Sequence, residues 1–145
     1  MELYIASDKH GWVMKNEIVR HLKENNKTYI VNDLCQDHEN IVDSVSYAFF
    51  LAQVVLDDPR NVAIFITKTG NEVSIVMNRR KHIRACLCVN KIMAETAKKD
   101  LNSNILVLAS DVIETSPSEI VDVWLNTPYN ENNFDNLRKN LFMDS

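Results

Sequence analysis

The sequence predicts an α/β protein of the three-layer, Rossmann-like type, in which helices cover both faces of a five-stranded parallel sheet. Three observations support this prediction. Apolar runs of strand length alternate with stretches of helical periodicity along the chain. Two of these runs, residues 62–66 and 105–109, are apolar throughout, as expected for strands that are buried on both faces. Single helices between successive strands imply the right-handed crossovers that connect parallel strands.

Each predicted strand is a short apolar run. In chain order the five runs are Leu3–Ala6, Tyr29–Val31, Val62–Thr67, Ile83–Val89 and Ile105–Ala109. The third and fifth runs do not alternate between apolar and polar residues, so both are expected to be central strands.

Amphipathic helices are predicted between the strands, because apolar residues recur there at helical spacing. The stripes comprise Met14, Ile18 and Leu22; Val45, Ala48, Phe49, Ala52, Val55 and Leu56; Met93, Ala97 and Leu101; and Ile120, Val121, Trp124 and Leu125. Ser116 and Pro117 predict the start of the last of these helices, with Ser116 as its N-cap, and Pro128 follows its end. Residues 129–145 are predicted to add a terminal helix that packs on a partner subunit.

Composition limits the class of protein. The length of 145 residues fits one domain spanning residues 1–145, and a net charge of −4 with scattered Lys and Arg argues against nucleic acid as a partner. No apolar run approaches the ~20 residues of a membrane helix, and the N-terminus lacks signal-peptide features, so a cytoplasmic protein without a membrane partner is expected. Three cysteines without zinc-type spacing predict buried thiols, with no structural disulfide and no metal site.

The two glycines of the chain, Gly11 and Gly70, each follow a predicted strand and precede a helix. A domain of this length at average usage would carry roughly ten glycines. Glycine permits a tight turn, and the helix that follows offers free N–H groups to an anion. Ligands of parallel α/β sheets bind beyond the carboxyl ends of the strands, which places residues 7–11, 67–74 and 89–91 around one crevice.

The residues of this crevice resemble the ribose-5-phosphate isomerase B and galactose-6-phosphate isomerase A/B family. The family's first loop, Ser-Asp-His-Ala-Gly-Phe, corresponds to Ser7-Asp8-Lys9-His10-Gly11-Trp12. Its Cys-Gly-Thr-Gly-x-Gly-x-Ser corresponds to Thr67-Lys68-Thr69-Gly70-Asn71-Glu72-Val73-Ser74, and its Ile-Arg-Ala-x-Leu-Cys to residues 83–88. The match runs from Leu3 to about Thr127. Within the family, the first loop with Met14-Lys15 and the stretch Val42-Asp43-Ser44 most resemble the A subunit of galactose-6-phosphate isomerase.

The resemblance implies an aldose/ketose isomerase that moves a proton between C1 and C2 of a phosphorylated sugar through a cis-enediolate. It implies no metal and no organic cofactor. The candidate catalytic residues are Glu72, Thr67, Thr69 and His10. The candidate substrate-binding residues are Ser7, Asp8, Lys9, Lys68, Gly70, Asn71, Ser74, Asn90 and Arg138.

The chain departs from the family pattern at the base. Thr67 stands where the family has its cysteine base, and a hydroxyl without a partner base is not expected to take up a carbon-bound proton at pH 7. Glu72 is the nearest carboxylate. Some relatives use a glutamate one residue later, and a carboxylate at a helix N-terminus is favourable without any catalytic role.

Two further family elements are changed. The family's histidine after the fourth strand is missing from Cys88-Val89-Asn90, so His10 is the candidate substitute for ring opening, with a solvated surface histidine as the alternative. Both C-terminal arginines, which in the family typically reach a neighbouring subunit's site, are missing. Arg138 could replace one only in a shifted register, and a helix-surface charge is the favoured alternative. Arg84 matches a family arginine, for which a structural ion pair is an equally good interpretation.

Three hypotheses for function follow. In the favoured one, the chain is a subunit of a galactose-6-phosphate-type isomerase and needs a second family subunit for full activity. In the second, it is a homodimeric ribose-5-phosphate isomerase that uses Glu72 as its base. In the third, it is a catalytically degenerate paralogue that binds a sugar phosphate or a protein partner. The expected partners are therefore a phosphorylated sugar and either an identical or a second family subunit.

Overall fold

The computed structural model describes residues 1–133, which form five strands and five α-helices that alternate along the chain. The strands are β1 (Glu2–Ser7), β2 (Ile30–Asp33), β3 (Val62–Thr67), β4 (Ala85–Leu87) and β5 (Ile105–Ala109). The helices are α1 (Trp12–Asn25), α2 (Ser44–Asp57), α3 (Asn71–Asn78), α4 (Lys91–Lys99) and α5 (Pro117–Asn126). Two short 3-10 helices lie at His38–Asn40 and Glu131–Asn133.

The strands form one parallel sheet with the order β2-β1-β3-β5-β4. All residues of β3 and β5 are buried, and neither strand lies at an edge of the sheet, so the prediction that these two runs are central is confirmed. The register pairs Ser7 with Ile66 and Thr67 with Ala109. The carboxyl ends of β1, β3 and β5 therefore meet at the same edge of the sheet.

Two apolar cores lie on opposite faces of the sheet. One core contains residues of α1, α4 and α5, including Ile18, Ala94 and Trp124. The other contains residues of α2 and α3, including Leu51 and Met77. The predicted three-layer, Rossmann-like arrangement is confirmed.

Strand β4 is shorter than predicted. It spans Ala85–Leu87 rather than residues 83–89, because the chain before it turns: the Ile83 N–H donates to the Arg80 carbonyl at 3.2 Å, and His82 has a left-handed backbone with φ +68°. Among the strands of residues 1–133, β4 lies at an edge of the sheet and pairs with β5 alone. The apolar run thus extends beyond the paired residues.

Helix α5 begins at Pro117 and ends before Pro128, as predicted. Ser116 occupies the N-cap position, as predicted, although its side chain makes no capping hydrogen bond to this helix. The predicted terminal helix over residues 129–145 lies, from residue 134 onward, outside the described residues. None of the helices within residues 1–133 is long and apolar enough to cross a membrane.

Candidate active site

The loop after β1 is joined to the end of β3 by a hydrogen bond between Asp8 and Thr67. The Thr67 Oγ1 hydroxyl donates to Asp8 Oδ2 at 2.5 Å, and the Asp8 N–H donates to the Ile66 carbonyl at 3.1 Å. The other carboxylate oxygen of Asp8 accepts the Gly11 N–H at 2.8 Å. Thr67 is buried and Asp8 is half-buried. Donors from both loops therefore orient the Asp8 carboxylate.

This geometry corrects the interpretation of Thr67. The sequence suggested a hydroxyl without a partner base, whereas the structure places a carboxylate within hydrogen-bond distance of its oxygen. The two residues are 59 positions apart in the chain. A parallel pairing of the first and third strands would have predicted their contact, because both residues follow the paired positions Ser7 and Ile66.

The packing at this edge leaves no space for a side chain at either glycine. A Cβ atom on Gly11 would lie 2.5 Å from the carbonyl oxygen of Ile66, the same carbonyl that accepts the Asp8 N–H. Gly70 has a left-handed backbone with φ +83°, and its Cβ atom would lie 2.8 Å from Leu87 Cδ1. The first glycine lets the two loops approach each other, and the second turns the chain from β3 into α3.

Helix α3 starts at this edge directly after Gly70. The N–H groups in the first turn of a helix have no intrahelical acceptor, which leaves those of Asn71, Glu72 and Val73 available. The Ser74 N–H donates to the Gly70 carbonyl at 3.2 Å, and the Ser74 hydroxyl donates to the same oxygen at 2.6 Å. Ser74 thus closes the first turn. The side chains of Thr69, Asn71 and Glu72 are exposed beside it.

The cationic residues around the loops differ in their surroundings. Lys9 and His10 are exposed, and neither makes an ion pair or a side-chain hydrogen bond with the residues described. The Lys68 ammonium is more than half exposed and lies 4.0 Å from Asp111 Oδ2. The Asp111 N–H also donates to the Lys68 carbonyl at 3.1 Å, so the loop after β5 adjoins the one after β3.

Two of the predicted binding residues, Asn90 and Ser7, contact other residues of the protein through their side chains. The Asn90 side chain accepts the Met93 N–H at 2.9 Å as the N-cap of α4 and donates to Glu114 Oε1 at 2.8 Å. Ser7 is fully buried, with its Oγ 3.6 Å from the sulfur of Cys35. Arg138 lies outside the described residues. The structure therefore brings together Asp8, Thr67 and the Gly70 turn, with the exposed residues of the same two loops beside them.

The sequence analysis did not find the buried lysine beside this edge. Lys15 is fully buried, and its ammonium donates to both carboxylate oxygens of Asp33 at 2.8 and 3.0 Å and to the Cys35 carbonyl at 3.0 Å. This ion pair ties α1 to the end of β2, and the bond to the Cys35 carbonyl holds the residue that contacts Ser7. Lys15 lies within a predicted amphipathic helix, and nothing in the local sequence predicted that it would pair with Asp33, 18 residues away in β2.

The three thiols offer no substitute base. Burial raises the pKa of Cys35 and Cys86, and it raises the pKa of Cys88 to about 12. Thiols with raised pKa are protonated and unreactive at neutral pH. Within residues 1–133, no three His, Cys, Asp or Glu side chains cluster in a way that could hold a metal ion.

Comparison with known proteins identifies what this arrangement resembles. The family model described as ribose/galactose isomerase matches residues 3–140. The ribose-5-phosphate isomerase B of Escherichia coli is 30% identical over 129 residues, which cover 88% of this chain and 85% of that protein.

Solved structures agree. The crystal structure of a ribose 5-phosphate isomerase from Thermotoga maritima superposes with a TM-score of 0.82 at 31% identity and covers 97% of this chain and 94% of that one. The ribose-5-phosphate isomerase B from Mycoplasma genitalium, solved with bound ribulose-5-phosphate, superposes with a TM-score of 0.83 at 28% identity, with coverage of 97% and 95%.

Proposed function

Because this chain belongs to the ribose/galactose isomerase family of sugar-phosphate isomerases, we propose that it interconverts ribose 5-phosphate and ribulose 5-phosphate. The named relatives support the pentose rather than the hexose, since they are ribose-5-phosphate isomerases matched over most of their length. Part of the pattern that favoured a galactose-6-phosphate isomerase subunit has a structural explanation. Asp43, in the stretch Val42-Asp43-Ser44, accepts the Ser46 N–H at 2.9 Å and caps α2.

The observation that carries the proposed mechanism is the 2.5 Å hydrogen bond from Thr67 to Asp8 at the family's base position. In the proposed step, the C2 proton of the open-chain aldose passes to Thr67 Oγ1 while the hydroxyl proton of Thr67 passes to Asp8 Oδ2. The electron pair of the C–H bond forms the enediolate double bond. Thr67 Oγ1 then gives a proton to C1 while Asp8 Oδ2 returns a proton to Thr67. Transfer of a proton from O2 to O1 completes the ketose. A hydroxyl acts in such a step only with an adjacent base, which Asp8 supplies.

We propose that the turn at Gly70 stabilises the negative charge that develops on the enediolate oxygens. The free N–H groups at the start of α3 and the exposed Thr69 hydroxyl lie beside the carboxyl end of β3. Oriented donors at a helix N-terminus stabilise negative charge that appears in the transition state. Glu72 then serves as a first-turn carboxylate of α3 and not as the base.

We assign the phosphate to Lys9 and Lys68, with a second family subunit completing the site. Lys9 forms no ion pair within residues 1–133, whereas Lys68 must leave Asp111, 4.0 Å away, to bind an anion. Two exposed lysines are weaker phosphate ligands than the pair of arginines implied by the family resemblance, because a lysine cannot form the bidentate contact of a guanidinium. His10 is exposed on the same loop and is assigned to ring opening, while Ser7 and Asn90 position the loops around the crevice.

Four single variants test the proton relay. Thr67→Val and Asp8→Asn each remove one member and are expected to lower kcat by at least about 100-fold, the usual contribution of a proton-transfer group. Thr67→Ser keeps the hydroxyl and is expected to retain most activity. The double variant should be little worse than either single variant, because the two residues act as a unit. Glu72→Gln is the matched carboxylate control and should retain kcat within about tenfold; an inactive Glu72→Gln beside an active Asp8→Asn would overturn the relay.

The substrate and the need for a partner are tested with the purified chain in deuterated water. Ribulose 5-phosphate formed from ribose 5-phosphate should carry deuterium at C1, because the Thr67 and Asp8 protons exchange with the solvent while the enediolate is bound. Activity per chain should fall on dilution if a second copy completes the site. Turnover of galactose 6-phosphate alone would overturn the pentose assignment. A folded chain that acts on neither sugar, with or without a second family subunit, would instead support the degenerate paralogue.

A further inference from the structure

A cavity of about 280 Å³ lies at the edge of the sheet opposite the candidate active site. It is lined by residues from the end of α2, the turn into β3, the turn into β4 and the start of β5: Val55, Leu56, Pro59, His82, Arg84 and Asn104. The amino ends of β3, β4 and β5 meet here, because the strands are parallel. The cavity therefore shares no residue with the loops around Asp8 and Thr67.

Arg84 contributes a half-buried positive charge to this cavity. Its Nε donates to the Asn102 carbonyl at 2.7 Å and its Nη1 donates to the His82 carbonyl at 3.0 Å. Arg84 forms no ion pair with a carboxylate anywhere in residues 1–133, and its Nη2 makes no hydrogen bond there. Burial lowers the pKa of the guanidinium, as expected for a cation that leaves water without an adjacent anion. The structural ion pair considered for Arg84 is thus not formed within the described part of the chain.

The guanidinium is held by a rigid frame. The His82 carbonyl accepts both from Arg84 and from Asn104 Nδ2, the latter at 2.9 Å. The Asn104 Oδ1 in turn accepts the Arg84 N–H at 2.8 Å. His82 adopts a left-handed backbone with φ +68°, which is uncommon for a residue other than glycine. This backbone conformation fixes the direction in which the His82 carbonyl faces the guanidinium.

The other walls of the cavity restrict the kind of anion that fits. Val55, Leu56 and Pro59 line it with apolar surface, and Val55 is buried. A planar guanidinium recognises a carboxylate through two parallel hydrogen bonds, and apolar walls favour a ligand with a hydrocarbon body. The volume lies just below the range of about 300–1,000 Å³ that is usual for sites of drug-sized ligands, so the ligand is small.

We propose that this cavity binds a small monocarboxylate with a short apolar body, whose carboxylate pairs with the Arg84 guanidinium. The site is independent of the isomerase chemistry proposed above. Its ligand is an organic acid of a few carbon atoms, distinct from the phosphorylated sugar assigned to the opposite edge of the sheet.

Titration of the 145-residue chain with isovalerate, followed by ¹H–¹⁵N NMR, tests the proposal. The Arg84 Nε–H signal and the backbone amide signals of Asn104 and Arg84 should shift in a saturable manner. Isovaleramide, the neutral analogue of the same shape, should cause no such shift. Arg84→Met should weaken binding at least tenfold, whereas Arg20→Met, which removes an exposed arginine from α1, should leave it unchanged.

A second variant keeps the test valid if Arg84→Met fails to fold. Leu56→Trp reduces the space in the cavity without removing the guanidinium, and it should also weaken isovalerate binding at least tenfold. Equal binding of the amide and the acid, unchanged binding in Leu56→Trp, or binding of inorganic phosphate without binding of isovalerate would each overturn the proposal.

Discussion

At the scale of single residues, Thr67 stands where the family resemblance implies a cysteine base. A site with a hydroxyl at this position requires a second group that accepts its proton. A thiol can lose its proton and act as a base by itself, whereas a hydroxyl needs a neighbour to accept its proton. Asp8 lies 2.5 Å from the Thr67 oxygen and is such a neighbour. The proposed relay therefore depends on the position of Asp8, which the family resemblance indicated only as a substrate-binding residue.

The two glycines give a prediction at the same scale. Gly11→Ala would place a Cβ atom 2.5 Å from a backbone carbonyl of β3, which cannot move without shifting the strand. Gly70→Ala meets flexible side-chain ends, with the nearest atom at 2.8 Å, but keeps an unfavourable left-handed backbone. Both should lower the free energy of unfolding, Gly70→Ala by about 1–3 kcal/mol and Gly11→Ala by at least as much.

Urea denaturation of the two glycine variants measures these effects. Gly11→Ala should also reduce isomerase activity in proportion to the displacement of the Asp8 loop from Thr67. A Gly11→Ala variant as stable as the unmodified chain would show that the loop and β3 do not approach as closely as the structure indicates.

At the scale of secondary-structure elements, helix α2 depends on its N-cap. Asp43 accepts the Ser46 N–H at 2.9 Å and the Ser46 hydroxyl at 2.7 Å, and these bonds lower the pKa of its carboxyl. A carboxyl with a folded-state pKa below its unfolded value stabilises the protein above about pH 4, and that contribution is lost as the pH falls further. The effect is modest, because Asp43 is exposed.

Two substitutions separate the cap from its charge. Asn is as good an N-cap as Asp but does not titrate, so Asp43→Asn should keep stability at pH 7 and flatten its decline between about pH 5 and pH 3. Asp43→Ala should lower the urea midpoint at pH 7. Parallel pH profiles of the unmodified chain and Asp43→Asn would contradict the assigned role.

The elements also show where sequence reasoning succeeded. Strands β3 and β5 match their predicted ranges because continuous apolar runs exist only where both faces are buried. For β4, the apolar run alone overestimated the strand, because at the sheet edge the turn at His82 limits the pairing. Ser116 is the N-cap residue of α5, yet its hydroxyl makes no hydrogen bond to the first turn of the helix.

At the scale of the whole molecule, the strand order β2-β1-β3-β5-β4 predicts a gradient of local stability. Amides of β3 and β5 are covered on both faces and paired on both sides, so they should exchange with solvent most slowly. Amides of the edge strands β2 and β4 should exchange faster by at least about tenfold. Hydrogen–deuterium exchange with mass spectrometry measures the order, and protection of β2 equal to that of β3 would contradict this topology.

The same order decides where chemistry can occur. It brings the ends of β1 and β3 together, so that Asp8 meets Thr67, and it places Arg84 and Asn104 at the opposite edge. That residues 1–145 form one domain with a terminal helix on a partner subunit stays a prediction, since the described residues end at 133.

The sequence by itself determined the α/β class, the central strands, the helical stripes and the two glycine loops, because these follow from local periodicity and from the conformational demands of single residues. Its loop residues also indicated the isomerase family. Only the tertiary structure decided that Thr67 has a carboxylate partner, that Lys15 is buried against Asp33, and that Arg84 has no acid beside it within residues 1–133. These contacts join residues far apart in the chain, and they depend on strand order and register, which no local pattern contains.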